Sequence, residues 1–191
     1  MTKTYDITQK SELNTYLTPE FIYKPIMTFE NIERFDFDVC CSEPNIPAFY
    51  HITIYGGYYY KNSNQLQDRD CGLKTKWLYT CWMNPPFNEA DKWVKKAYKE
   101  SQGGAQVWAI LPLRPETVYF RDYIFNNPDC FWVSLTKNKN LGFLHPETKQ
   151  FMGQFAKPLC LVYFGKGAKE KAIRWASENP IPGVVHFKLG G

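Results

Sequence analysis

The chain has 191 residues, which suits one α/β domain with a full hydrophobic core and leaves little room for a second domain. Its formal net charge of +4 permits a polyanionic partner without requiring one. The longest apolar runs are far too short to cross a bilayer, so no membrane role is indicated.

The aromatic residues and the cysteines add two constraints. Aromatic residues make up 17% of the chain, more than core packing usually requires, so some rings are expected to face a ligand or a partner. The six cysteines form no CxxC pair, several lie inside apolar runs, and no secretory hydrophobic segment follows Met1. These features predict buried, reduced thiols and a cytosolic protein.

The first third of the chain predicts one helix and two strands. A helix over residues 19–30 is indicated by Thr18 as the N-cap, Pro19 in the first turn and Glu20 as an early acid. The segment "RFDFDVCC" alternates apolar and polar residues and predicts a strand with Asp38 near its C-terminal end. After a loop rich in proline and asparagine, "AFYHITIY" predicts a second strand.

The rest of the chain predicts alternating strands and helices after a loop. Residues 56–76 are polar and rich in glycine and tyrosine, which predicts a mobile loop. The predicted strands that follow are "WLYTCWM", "AQVWAILPL", "CFWVSL" and "PLCLVYFG", the predicted helices are "EADKWVKKAYKES", "PETVYFRDYIFNN" and "AKEKAIRWASEN", and an exposed hairpin or loop covers "NKNLGFLHPETKQFMGQFAK". This order predicts an α/β fold with a mostly parallel twisted sheet, helices on both faces, and the tryptophans of the apolar segments in the core.

The stretch Asn84-Pro85-Pro86-Phe87 directly follows one of the predicted strands. Proline cannot continue a sheet ladder, so this stretch is expected to form a stiff loop at the strand's end. Open α/β sheets bind ligands outside the carboxyl ends of their strands, and Asp38 falls near such an end as well. The loop and Asp38 are therefore predicted to share one edge. The alternatives are a plain turn for the loop and a surface acid or helix cap for Asp38.

The side chains of this loop suit a planar amine. The lone pair of an exocyclic amine is delocalised into its ring, so the nitrogen is a weak nucleophile until its hydrogens are held out of plane. The Asn84 side-chain carbonyl and the Pro85 main-chain carbonyl are able to accept those hydrogens, and Phe87 is able to stack on the ring. The electrophile would come from a cofactor that carries an activated methyl group.

Several segments, taken in order, resemble the small phage-type DNA N6-adenine methyltransferases, which use S-adenosylmethionine. The similarity runs from residue 18 to about residue 164 and comprises "TPEFI", "FDFDVCC" followed by Pro and Asn, "DCGL" before a tryptophan, "CWMNPPFNEADKWVKKAYKE", "ILPL" and "PLCLVYFG". The resemblance implies a Rossmann-like methyltransferase fold and methylation of adenine N6 in double-stranded DNA. It also implies a phage-encoded protein in the host-cell cytoplasm, with protection of phage DNA against restriction as its purpose.

The resemblance also implies roles for individual residues. It places catalysis on Asn84, Pro85, Pro86 and Phe87. It places the cofactor pocket on Thr18, Pro19, Asp38, Val39, Cys40 and Asp70. In enzymes of this kind an acid near a strand end serves the amino-acid end or the ribose end of the cofactor, and Asp38 and Asp70 are both able to do so.

Contact with DNA is expected from basic and aromatic side chains of the irregular segments. The candidate residues are Tyr58, Tyr59, Lys61, Lys137, Lys139 and Lys149. A loop collapsed on its own surface and solvated lysines are the alternatives. The three histidines have no acid or cysteine at metal-ligand spacing, so no metal site is predicted.

A single methyltransferase domain over residues 1–191 leaves no separate target-recognition domain. Reading of the DNA sequence then falls to the loops at 56–76 and 136–157, which predicts a short or loose recognition site. The argument about the amine applies equally to cytosine N4 and to a protein glutamine. A non-catalytic member that binds DNA or another protein is a further alternative.

Overall fold

The computed structural model describes residues 16–54, 56–60, 71–136 and 141–188. The helices are α1 (Glu20–Glu30), α2 (Ala90–Gln102), α3 (Val118–Phe120) and α4 (Ala168–Glu178); a 3-10 turn at Phe87–Glu89 leads into α2, and a π-helical turn at Arg121–Phe125 continues α3. The strands are β1 (Phe35–Cys41), β2 (Ala48–Thr53), β3 (Tyr58–Tyr60), β4 (Thr80–Met83), β5 (Gln106–Pro112), β6 (Cys130–Leu135), β7 (Gly142–Leu144), β8 (Phe151–Gln154), β9 (Leu159–Phe164) and β10 (Gly183–Phe187). The predicted helices and strands are confirmed in type and order. Sequence patterns missed β3 and β10.

Eight strands form one sheet in the order β10-β6-β9-β5-β4-β1-β2-β3, and β7 pairs with β8 in a separate hairpin. The predicted α/β class is confirmed. The sheet is mixed rather than mostly parallel: β2, β1, β4 and β5 are parallel to one another, whereas β3 is antiparallel to β2 and β9 lies antiparallel between β5 and β6. The reversal follows from the connection between β6 and β9, which is the β7–β8 hairpin rather than a crossover helix.

The core lies on both faces of the sheet, because alternate residues of each strand point to opposite sides. On one face Trp82 and Trp108 pack with α1 and α4. On the other face Cys81 and Val107 pack with α2 and with the helical turns after β5. The predicted placement of helices on both faces is confirmed. The predicted burial of tryptophans is also confirmed at Trp77, Trp82, Trp93 and Trp108.

Residues 71–76, predicted as part of a mobile loop, form an anchored turn instead. Main-chain N–H groups of Lys74 and Thr75 both donate to the Cys71 carbonyl, at 2.9 and 3.0 Å. The Trp77 indole donates to the Gly72 carbonyl at 2.8 Å. Residues 58–60 of the same predicted loop form the edge strand β3. The loop prediction failed because polar composition does not reveal tertiary anchoring.

Gly72 lies directly against β1. A Cβ atom built on Gly72 would stand 1.8 Å from the Val39 carbonyl oxygen and 3.0 Å from the Trp93 ring. Main chain cannot move away as a flexible side chain would. The absence of a side chain at position 72 therefore brings the turn into contact with β1.

We expect Gly72→Ala to lower the free energy of unfolding by about 1–3 kcal/mol, because the added methyl group must displace main chain. Urea unfolding of the two proteins measures the difference. Gly103→Ala is the matched control, since a Cβ atom there meets only the Glu100 carbonyl oxygen at 3.2 Å. Equal midpoints for Gly72→Ala and the parent protein would contradict the close packing.

Two further findings concern the whole described chain. All six cysteines lie within it, and each is a free thiol. No helix in its described residues combines the length and the apolar character needed to cross a bilayer.

Candidate functional site

A polar cleft opens at the carboxyl ends of β1 and β4. These neighbouring parallel strands lie where the chain order reverses, since β2 continues to one side of β1 and β5 to the other side of β4. The cleft is narrow, with a cavity volume of about 10 Å³, and it opens to solvent. It is lined by Tyr16, Leu17, Thr18, Asp38, Cys40, Cys41, Ser42, Glu43, Asn45, Trp82 and Asn84. Asp38 and Asn84 thus line the same cleft.

Asn84 is the first residue after β4, and its carboxamide has a defined orientation. The side-chain Nδ2 donates to the Tyr16 main-chain carbonyl at 3.0 Å and to the Thr18 hydroxyl at 3.2 Å. A main-chain carbonyl can only accept, so the atom that faces Tyr16 must be the amide nitrogen. The amide oxygen Oδ1 takes part in neither bond and remains an acceptor for another group.

The two prolines of the loop are buried. The Pro86 carbonyl accepts the Glu89 N–H at 2.9 Å, which begins the 3-10 turn before α2. Within the described part of the chain, no main-chain N–H is bonded to the Pro85 carbonyl. The loop therefore carries two adjacent acceptors, Asn84 Oδ1 and the Pro85 carbonyl.

Phe87 is half-buried and belongs to an aromatic cluster with the β7–β8 hairpin. Its ring meets Phe143 at a centroid distance of 5.8 Å and Phe155 at 5.6 Å, both edge to face. Phe143 and Phe155 meet each other at 5.5 Å and 87°. This geometry is the favoured one for aromatic pairs, and it holds the Phe87 ring in place beside Asn84.

The hairpin is also tied to the segment that carries Tyr16 and Thr18. Leu17 and Leu144 exchange two main-chain hydrogen bonds of 3.2 and 3.0 Å. At the hairpin turn, the Lys149 ammonium pairs with Glu43 on the rim of the cleft. The hairpin therefore flanks both the cleft and the loop that begins at Asn84.

Asp38 lies in the middle of β1 rather than near its end, since the strand continues to Cys41. Parallel pairing places Asp38 opposite His51 of β2, and His51 Nδ1 lies 3.7 Å from Asp38 Oδ2. Burial raises the pKa of the Asp38 carboxyl, and the neighbouring His51 and the Cys40 N–H partly offset that rise. A buried carboxylate facing a polar cleft is suited to accept hydrogen bonds from a charged or hydroxylated ligand.

Asp38, Cys41 and His51 form a cluster that sequence spacing did not predict. One potential metal-ligand atom from each lies within 4.8 Å of the others. A cysteine binds metal as the thiolate. Cys41 Sγ instead donates to the Ile52 carbonyl at 3.5 Å, and burial raises the pKa of its thiol. The Cys41 thiol is thus held as a hydrogen-bond donor to β2.

Of the other described residues assigned to the cofactor pocket, Thr18 and Cys40 line the cleft, and Pro19 and Val39 do not. Thr18 does not cap α1, since Pro19 is the N-cap and makes no side-chain cap bond, and the Thr18 hydroxyl faces Asn84 instead. Cys40 lines the cleft, whereas Val39 is fully buried in the core and does not line it. Pro19 is buried without lining the cleft. Asp70 lies outside the described residues.

The residues predicted to contact DNA are described only in part. Lys149 is half-exposed at the hairpin turn. The main chains of Tyr58 and Tyr59 lie in the edge strand β3, opposite Ile52 and His51. Lys61, Lys137 and Lys139 fall outside the described residues.

Sequence reasoning missed Tyr16 and Asn45 on the lining of the cleft, and it missed His51, which is buried beside Asp38. Asn45 Nδ2 donates to the Thr18 carbonyl at 2.8 Å. Asn45 lies in a polar loop whose composition is that of an ordinary turn, so only the fold reveals its partner. For His51, the available sequence signal was a histidine placed inside a predicted apolar strand.

Comparisons with known proteins show the family of the chain. Residues 6–178 match the family model described as DNA N-6-adenine-methyltransferase (Dam). A DNA N-6-adenine-methyltransferase of Haemophilus phage HP1 is 26% identical over 159 residues, which cover 82% of each chain. A protein of the same name from Escherichia phage T1 is 30% identical over 69 residues, or 35% of this chain and 29% of that protein. Since the family model spans most of its length, the chain belongs to the DNA N-6-adenine-methyltransferase family.

Proposed function

We propose that this chain transfers a methyl group from S-adenosylmethionine to N6 of adenine in double-stranded DNA. The orientation of the Asn84 carboxamide carries the proposal. With Nδ2 held by Tyr16 and Thr18, the oxygen Oδ1 and the neighbouring Pro85 carbonyl are both free to accept, and adenine N6 has two hydrogens to donate.

The two acceptors would act on the nucleophile. Accepting both N6 hydrogens draws the lone pair out of the ring and directs it toward the methyl carbon. When bound, S-adenosylmethionine would supply the activated methyl group and a neutral thioether as the leaving group. The positively charged amine then loses one hydrogen as a proton to water. The base must leave the DNA stack to reach the loop, and Phe87 would support its ring.

The cleft supports a place for the cofactor beside Asn84. The Asp38 carboxylate would accept from the ammonium or the hydroxyls of the cofactor, with Thr18 and Cys40 also on the lining. Asp70 would serve the other end of the cofactor, as the family resemblance implies. The parallel strands β2-β1-β4-β5 with helices on both faces support a Rossmann-like methyltransferase fold.

DNA would approach from the hairpin side, within a single domain. The hairpin flanks the loop through Phe143 and Phe155, and Lys149 at its turn would meet phosphate. Tyr58, Tyr59, Lys61, Lys137 and Lys139 remain further candidates for contact with DNA. Recognition through such short elements favours a short or loose target sequence. Six free thiols and phage relatives support action in the host-cell cytoplasm.

Transfer of tritium from labelled S-adenosylmethionine to unmethylated DNA tests the proposal directly, with nucleoside digestion and mass analysis of the product. N6-methyladenine is the expected product. N4-methylcytosine, or label only in added protein glutamine, would assign the loop to another planar amine. DNA binding without any cofactor binding would show a non-catalytic member. Sequencing of the methylated positions then measures the target, and a long, strictly read sequence would contradict recognition by short loops.

A further inference from the structure

Thr18 makes a contact with the proposed catalytic amide that neither a helix cap nor a cofactor ligand would require. Its hydroxyl oxygen lies 3.2 Å from Asn84 Nδ2, although the two residues are 66 positions apart in the chain. The Thr18 residue is only 2% exposed, so bulk water does not compete freely for this bond. A buried hydrogen bond to a group that touches the substrate is a means of orienting that group.

We infer that Thr18 is a positioning residue whose hydroxyl sets the plane of the Asn84 carboxamide. The inference rests on the proposed function and adds a second role to the one that resemblance assigns to Thr18. Thr18 itself would not touch the reacting atoms. It would act through Asn84.

The need for a second acceptor follows from the geometry of a carboxamide. The Tyr16 carbonyl decides which end of the amide faces the main chain, because an amide oxygen there would meet another oxygen at about 3 Å. A single hydrogen bond, however, leaves the carboxamide free to rotate about the axis of that bond. Both amide hydrogens lie in the amide plane, so a second acceptor on the second hydrogen restrains that plane. Oδ1 lies in the same plane, so restraining that plane also fixes the direction in which Oδ1 points.

Thr18 is itself well held, which a positioning residue requires. Its carbonyl accepts from Asn45 Nδ2 at 2.8 Å, its predecessor Leu17 is paired with Leu144 of the hairpin, and α1 begins two residues later. Restraint from three sides reduces the entropy that orienting Asn84 would otherwise cost. The hydroxyl hydrogen is not used in the bond from Asn84, so Thr18 can still donate to a ligand.

The test compares Thr18→Val, which keeps the shape and removes the acceptor, with Thr18→Ser, which keeps the acceptor. We expect Thr18→Val to lower kcat at saturating cofactor about ten-fold, and Thr18→Ser to stay within about three-fold of the parent. The cofactor dissociation constant, measured by calorimetry, should change less than about three-fold in both. Thr28→Val, at an exposed position of α1, is the matched control and should leave both quantities unchanged.

Each other outcome has a definite meaning. An unchanged kcat in Thr18→Val overturns the positioning role, and so does a serine variant as impaired as the valine variant. A weakened cofactor affinity with unchanged kcat overturns it in favour of a cofactor ligand. Thermal unfolding of the variants separates these results from loss of fold, with the serine variant available should valine destabilise the chain. Failure of the proposed function is distinguishable, because the parent protein would then produce no N6-methyladenine.

Discussion

Replacement of Asn84 by alanine is expected to reduce methyl transfer to adenine by about 100- to 1,000-fold at saturating cofactor, with little change in cofactor affinity. The variant loses Oδ1, one of the two acceptors proposed for the N6 hydrogens. The Pro85 carbonyl alone cannot hold both hydrogens, so the lone pair returns to the ring. The loss should therefore appear in kcat and in kcat/KM for DNA.

The fold should survive this substitution. Alanine vacates the space of the carboxamide beside the cleft, and a water molecule in that space can bond to the Tyr16 carbonyl and the Thr18 hydroxyl. Asn88→Ala, an exposed asparagine in the following turn, is the matched control and should retain the parent rate. An Asn84→Ala protein that methylates adenine at the parent rate would refute the mechanism proposed for the loop.

Asp38→Asn is expected to weaken cofactor binding by about 10- to 100-fold, because it replaces charge-assisted hydrogen bonds by neutral ones of the same shape. Calorimetric titration with S-adenosylmethionine measures the change. Asp122→Asn, an exposed acid paired with Arg121 away from the cleft, controls for the loss of one negative charge. An Asp38→Asn protein with the parent dissociation constant would remove Asp38 from the cofactor site.

The affinity should also depend on pH in a manner that Asp38→Asn abolishes. Burial raises the pKa of Asp38 above its ordinary value of 3.8. If the cofactor is held by the carboxylate, affinity is expected to fall as pH decreases through that raised pKa, at higher pH than for an exposed aspartate.

The same shift has the opposite effect on stability. A carboxyl whose pKa is raised by folding contributes stability that is present below its unfolded pKa and is lost as pH rises through the folded pKa. Asp38→Asn removes that loss, so the variant should be no less stable than the parent near neutral pH. Weaker cofactor binding would then not result from unfolding, and thermal scans in the absence of cofactor check this.

Local sequence patterns sufficed for most elements and for the catalytic loop. The helix "EADKWVKKAYKES" and the strand "CFWVSL" were predicted within one residue of α2 and β6, because amphipathic spacing and apolar runs depend only on neighbouring residues. Asn84 to Phe87 stood out because two prolines must end a strand. The proximity of Asp38 and Asn84 was predicted from the general placement of ligand sites in α/β sheets.

The same sequence patterns did not predict the edge strands. Tyr58–Tyr60 in β3 and Gly183–Phe187 in β10 are short, and each pairs with only one neighbour. Their sequences lack a long apolar run, since one side of an edge strand remains unpaired. The direction of β9 was also missed, because an apolar strand has the same pattern in either direction.

Residues near one another in the chain were sufficient to predict the α/β class, the order of the elements and a stiff loop suited to binding a planar amine. The fold was needed to show that Thr18 and Tyr16 orient Asn84, that Asp38 faces His51, and that Phe143 and Phe155 pack against Phe87. The physical reason is distance along the chain: each of these contacts joins separate segments, and strand register and packing alone bring them together.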